Sequence, residues 1–188
     1  MKNSFIILLL LYFLIGCKNE EFTHRETVTK YYTARNASDF DALRVLLSDS
    51  LTTVSGDYVM PYDHDSFYEV FKWDSIFGTS YKLIELEEKD NKAIAMVTLN
   101  SDRLKFLKNG PMTCQYQISF ESGKISKIEE LECKDADWDI WRKQVDSLVV
   151  WVNRNHPELN GFIHDMTMNG AKDYLKAIKL YKADKNAL

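Results

Sequence analysis

The chain has 188 residues, with 24 Lys plus Arg against 28 Asp plus Glu, 45% hydrophobic and 13% aromatic side chains, and only 7 Gly, 3 Pro and 3 Cys. This excludes a disordered chain, a collagen-like or linker-rich chain and a disulfide-dense scaffold, and it fits one globular domain carrying an appendage. A net charge of −4 without any Lys/Arg cluster offers no field to a phosphate backbone, so nucleic acid is not an expected partner.

In chain order, Met1-Lys2-Asn3 is a short basic start followed by an apolar run from Phe5 to Ile15. That run is too short to cross ~30 Å of hydrocarbon, which takes about 20 residues. It ends in Leu14-Ile15-Gly16-Cys17, which resembles the bacterial lipobox, where small residues ahead of a Cys allow acylation of the thiol and cleavage just before it. The expectation is a signal peptide over 1–16, a lipidated tether over 17–22 with Cys17 as the acylated residue, and a protein anchored to the bilayer rather than spanning it. The location implied is the bacterial cell envelope, at the outer membrane. Lys18-Asn19-Glu20-Glu21 is similar to short signals that send some lipoproteins to the cell surface, and reads equally as a solvated tether.

Residues 23 to 36 read as a helix, with Val28, Tyr31, Tyr32 and Arg35 at three-to-four spacing. A second helix, capped by Ser38 or Asp39, is expected to bury Phe40, Leu43, Leu46 and Leu47. Leu51 to Tyr58 reads as a strand ended by Pro61, and Asp63 or Asp65 caps a third helix with Phe67, Val70, Phe71 and Phe77 along one stripe. Strands are then expected over 81–88, 93–100, 112–120 and 124–133, with turns at Asp90-Asn91 and Ser122-Gly123. If Glu121 pairs with Lys124, Cys114 falls opposite residue 131 and Cys133 lies one diagonal step away. A bulge would bring the sulfurs together, and without one they stay buried thiols. The predicted architecture is α+β: helices packed on one face of a curved antiparallel sheet over 23–133, with a C-terminal helical extension over 134–188.

Tyr31-Tyr32-Thr33-Ala34-Arg35-Asn36-Ala37-Ser38-Asp39 resembles the opening of nuclear transport factor 2-like (SnoaL-like, cystatin-like cone) domains, and Gly123-Lys124-Ile125 with Ile128 is similar to their penultimate turn. The resemblance implies a cone-shaped domain in a family that holds isomerases, cyclases, dehydratases and plain binding modules. Isomerases of this kind place an acidic base late in the first strand, where this chain has Thr53-Val54-Ser55-Gly56, so that base is missing. Tyr31 matches the helix-one Tyr that donates a hydrogen bond in them, although a Tyr on an apolar stripe equally belongs to the core.

On the third helix, the arc flanked by Val70, Phe71, Trp73 and Phe77 contains Asp74. If the helix continues past Trp73, Asp74 faces the cone as a candidate base with Tyr31 or Tyr116 as donor; if it ends there, Asp74 caps the turn before Gly78. The pocket candidates are Tyr31, Phe71, Asp74, Phe77 and Tyr116. His24, His64, His156 and His164 show no ligand spacing, so no metal and no cofactor are expected. In the tail, an Asp135 or Asp137 cap opens an amphipathic helix with Trp138, Trp141, Val145, Leu148, Val149 and Val152 on one stripe. Its expected partner is the sheet, because Ala93, Ala95, Val97 and Leu99 alternate with Ile94 and Met96. A second helix is expected beyond Asn169-Gly170. The functional expectation is a lipid-anchored, non-catalytic binding module for a small apolar ligand or a partner protein, or a homodimer. The alternative is a cofactor-free SnoaL-like isomerase, cyclase or dehydratase acting on a small carbonyl compound.

Overall fold

A computed structural model describes residues 22–186. Helix α1 (His24–Ala37) opens with a capping box between Thr23 and Glu26 and closes on Ser38 in the left-handed region. Asp39 caps the short α2 (Phe40–Arg44). Strands β1 (Leu47–Ser55) and β2 (Tyr58–Tyr62) form a hairpin about Gly56, whose φ of 55° a glycine adopts without strain. Asp63 caps α3 (His64–Ser75). Then come β3 (Ser80–Lys89), β4 (Lys92–Asn100), the short α4 (Asp102–Phe106), β5 (Met112–Glu121) and β6 (Lys124–Cys133). Asp137 caps α5 (Trp138–Asn155), a 3-10 turn covers Pro157–Leu159, and α6 runs Met168–Asn186. No helix among the described residues is long and apolar enough to cross a membrane.

The fold is α+β, one sheet of order β2-β1-β6-β5-β4-β3, antiparallel except for the parallel β1–β6 pair. Register shifts in β1–β6, in β3–β4 and twice in β5–β6 mark bulges, which bend strands and curl the sheet around the helices. The two shifts in β5–β6 move the pairing by two residues, so Cys114 stands opposite Cys133 and their sulfurs are bonded. At the Asp90-Asn91 and Ser122-Gly123 turns both residues have positive φ, the twist that matches a tight hairpin.

Several expectations are corrected. Leu46 and Leu47 are buried, but where β1 starts, because α2 is a single turn. Pro61 does not break the chain; it sits in β2, an edge strand, where a missing N–H costs no ladder bond. The amphipathic α5 does not take the sheet as its main partner. Its Leu148 and Val152 pack with Trp73 of α3, Phe77 just beyond it, Leu107 and the α6 face of Ala171, Tyr174 and Ile178, and only Trp141 reaches the start of β5.

The reason is that α3 has two apolar faces. Phe67 and Phe71, four residues apart, enter the core with Val28, Tyr31, Leu43, Leu86, Val97 and Ile118, while Trp73, followed by Phe77 in the turn after the helix, faces the C-terminal layer. α3 is thus a shared wall. Arg103 of α4 closes the seam, its guanidinium lying 5.1, 4.8 and 5.7 Å from the rings of Trp73, Trp141 and Tyr174.

Candidate functional site

The C-terminal ends of α1 and α3 meet the start of β3 at one rim of the cone, leaving a cleft of about 420 Å³. That is within the usual range for small-ligand pockets. Arg35, Asn36, Phe71, Asp74, Thr79 and Tyr81 line it, with Ser38, Ser75, Ser80 and Lys82 around them.

Helical spacing brings Arg35 there, one turn after Tyr31, at the end of an otherwise apolar stripe. A cation in that position needs an anion, and α3 supplies it: Arg35 Nη2 lies 2.7 Å from Asp74 Oδ2, with side-chain exposures of 11% and 22%. The Tyr81 hydroxyl touches both partners, donating to the carboxylate and accepting from the guanidinium. Thr79 Oγ1 donates to Asp74 Oδ1 at 2.9 Å, and Arg35 Nη1 donates to Tyr31 Oη at 3.2 Å. The side-chain amide of Asn36 clasps the backbone of Tyr81 through two 2.7 Å hydrogen bonds, fixing β3 against α1. Burial works against the Arg35 charge, but Tyr81, Tyr31 and Asp74 more than restore it, so its pKa lies above the ordinary value. Burial pushes the Tyr81 phenol well up, with Arg35 opposing and Asp74 reinforcing.

α3 extends to Ser75, so Asp74 is helical and points into the cleft. It also serves the following turn, its backbone carbonyl accepting from Phe77 N at 3.2 Å and Thr79 Oγ1 at 3.1 Å. Of the other pocket candidates, Phe71 lines the cleft and Tyr31 reaches it through Arg35. Phe77 does not belong to the pocket: it is 1% exposed and packs edge-on to Trp73 and Tyr174, because two residues beyond the end of α3 it follows Trp73 to the far face. Tyr116 is half-buried on the inner side of β5 and is not among the residues lining the cleft; burial, then Glu130, raises its pKa. Cys17 lies outside the described residues.

Sequence reasoning missed Arg35, Asn36, Thr79 and Tyr81 as site residues. The available signal was one cation on an apolar helix stripe and one acid on another helix's inward arc. His64 accepts from Arg44 Nε at 3.1 Å and contacts the Ser48 carbonyl, and His24 stacks on Phe120 with ring centroids 3.9 Å apart. Among the described residues Cys114, Cys133 and Glu130 form the one group with metal-ligand spacing, and its two sulfurs are already bonded to each other.

No protein-family model matches the sequence, and no curated protein matches it. The cone is nevertheless similar to solved structures. With a TM-score of 0.50 and 15% identity, 58% of the chain covers all of a candidate polyketide cyclase from Sinorhizobium meliloti. An uncharacterised cystatin-fold protein from Novosphingobium aromaticivorans is 99% covered by 59% of the chain at 14% identity and TM-score 0.50. The candidate polyketide cyclase IdmH from Streptomyces antibioticus is 99% covered by 66% of the chain at 15% identity and TM-score 0.50. The fold is therefore that of the nuclear transport factor 2-like, cystatin-type cones, and a third or more of the chain has no counterpart in these neighbours.

Proposed function

We propose that the protein is an exported binding module, held in the bacterial cell envelope by acylated Cys17, whose rim cleft retains a small ligand without turning it over. The observation that carries this reading is the state of Asp74, the one acid in the cleft lining: one carboxylate oxygen is held by Arg35 and Tyr81, the other by Thr79. Three of its roughly four lone-pair sites are taken, which leaves a reacting C–H only the remaining site on Oδ1 beside Thr79. The lining also supports a narrower view of the ligand than a purely apolar one. The Phe71 and Tyr81 rings suit a flat apolar body, and Asn36, Lys82 and the surrounding hydroxyls suit a polar edge.

The catalytic alternative rests on a specific feature. Asp74 keeps 22% of its side chain exposed and shares a hydrogen bond with a phenol, an acid and a donor side by side as needed for enolisation of a carbonyl compound. Two neighbours of the cone are named as candidate polyketide cyclases.

Native mass spectrometry of the purified protein, followed by incubation of whatever mass it retains, separates the two. The binding reading expects a retained small molecule that leaves chemically unchanged. Recovery of a transformed product, abolished by Asp74→Asn in a folded variant, overturns it in favour of the enzyme. Anchoring is checked by labelled palmitate, whose incorporation is expected to disappear in Cys17→Ala.

A further inference from the structure

The described chain begins at Phe22, and Phe22 already packs against the core of the cone, with Lys30 Nζ 4.2 Å from its ring centroid. Next to it, Arg25 donates to the Leu86 carbonyl at 2.6 Å and pairs with Glu88, while His24 stacks on Phe120. The N-terminus of α1 is therefore fixed beside the β3–β4 and β5–β6 turns. Five residue steps separate Phe22 from Cys17, so even a fully extended chain reaches only about 18 Å. The cleft lies at the other end of both rulers. From Phe22 to Arg35 the chain rises about 20 Å, nearly all of it along α1, and β3 covers at most about 30 Å from Lys89 at the turn to Ser80 at the cleft.

We infer, resting on the acylation of Cys17 proposed above, that the end of the cone formed by the α1 N-terminus and the 89–92 and 121–124 turns faces the lipid surface. The cleft then opens on the opposite side, into the aqueous phase, and takes a water-borne ligand rather than one drawn from the bilayer. The leash is what orients the molecule. Fully stretched it only just falls short of the distance from Phe22 to the cleft along α1, so turning the cleft rim to the membrane would take all of its slack.

The test uses the full acylated protein in vesicles of phosphatidylethanolamine and phosphatidylglycerol that carry a nitroxide on a fraction of the headgroups. A fluorophore is placed at Lys89→Cys or at Ser80→Cys, both exposed positions on one strand. Quenching several-fold stronger at 89 than at 80 is expected. A flexible Gly-Ser insertion as long as α1, placed between Glu20 and Glu21, is expected to level the two. Equal quenching in the uninserted protein, or stronger quenching at 80, overturns the orientation while leaving the anchor intact. An unchanged ratio after the insertion overturns the leash as its cause. A purified chain whose mass lacks the acyl adduct, and which fails to float with vesicles, overturns the anchoring reading and this inference together.

Discussion

Arg35 and Asp74 each arrive at the cleft because a helix places them there, but neither would be tolerable alone. The pair is mostly removed from water, so deleting one member strands a charge, whereas deleting both strands none. Arg35→Met is expected to destabilise the protein by roughly 3 kcal/mol, and Arg35→Met with Asp74→Leu by clearly less. Urea midpoints of the four members of that cycle check this; additive effects would show that the pair is not coupled. Tyr32, Tyr81 and Tyr116 all have pKa values raised chiefly by burial. Their unfolded value is about 10, so the folded state holds more protons above it. The stability they contribute is complete below about pH 10 and lost as pH rises through the higher folded values. The share of the phenolate absorbance that these three supply is expected to appear together with unfolding rather than before it. Arg35 was visible in the sequence only as an oddity on a stripe of apolar residues, and Tyr81 only as a strand residue, since the contact joining them spans 46 positions.

At the scale of elements, the hairpin of β5 and β6 shows how register settles covalent chemistry. The turn and the alternation of Met112 to Phe120 are local and legible, but the two bulges that align Cys114 with Cys133 answer to the curl of the whole sheet. Replacing both cysteines by Ser opens a loop of 19 residues and is expected to cost about 3 kcal/mol, read as a drop in the urea midpoint that reductant reproduces in the parent protein. α3 is the other instructive element. Its periodicity gives one broad stripe, and nothing local says that Phe67 and Phe71 will meet the sheet while Trp73 and Phe77 meet other helices. Phe77→Ala is expected to cost about 3 to 5 kcal/mol through the C-terminal layer, with the cleft residues undisturbed. A chemical-shift map that moves Tyr174 and Leu148 but spares Tyr81 would agree.

At the scale of the molecule, the cone and the C-terminal helices share α3 and the Arg103 seam, and so should unfold together. The protein reports on this by itself, because all four tryptophans (73, 138, 141 and 151) lie on the C-terminal side of α3 or in α5, while the β-sheet dominates the rest. Tryptophan fluorescence and far-ultraviolet circular dichroism are expected to trace one denaturation curve. A tryptophan transition at lower denaturant than the sheet transition would make the layer a separate unit.

The sequence by itself determined the α+β class, the caps of α2, α3 and α5 to within a choice of two residues each, and the tight turns at Asp90-Asn91 and Ser122-Gly123, because each depends on residues within a turn or two of one another. The tertiary structure alone decided the hairpin partner of β1, the seat of α5 on α3 rather than on the sheet, and the removal of Phe77 from the pocket. It also decided that Asp74 meets a guanidinium rather than open space. Those outcomes turn on which of several equally apolar surfaces closes over which, a competition in burial that spacing along the chain does not encode.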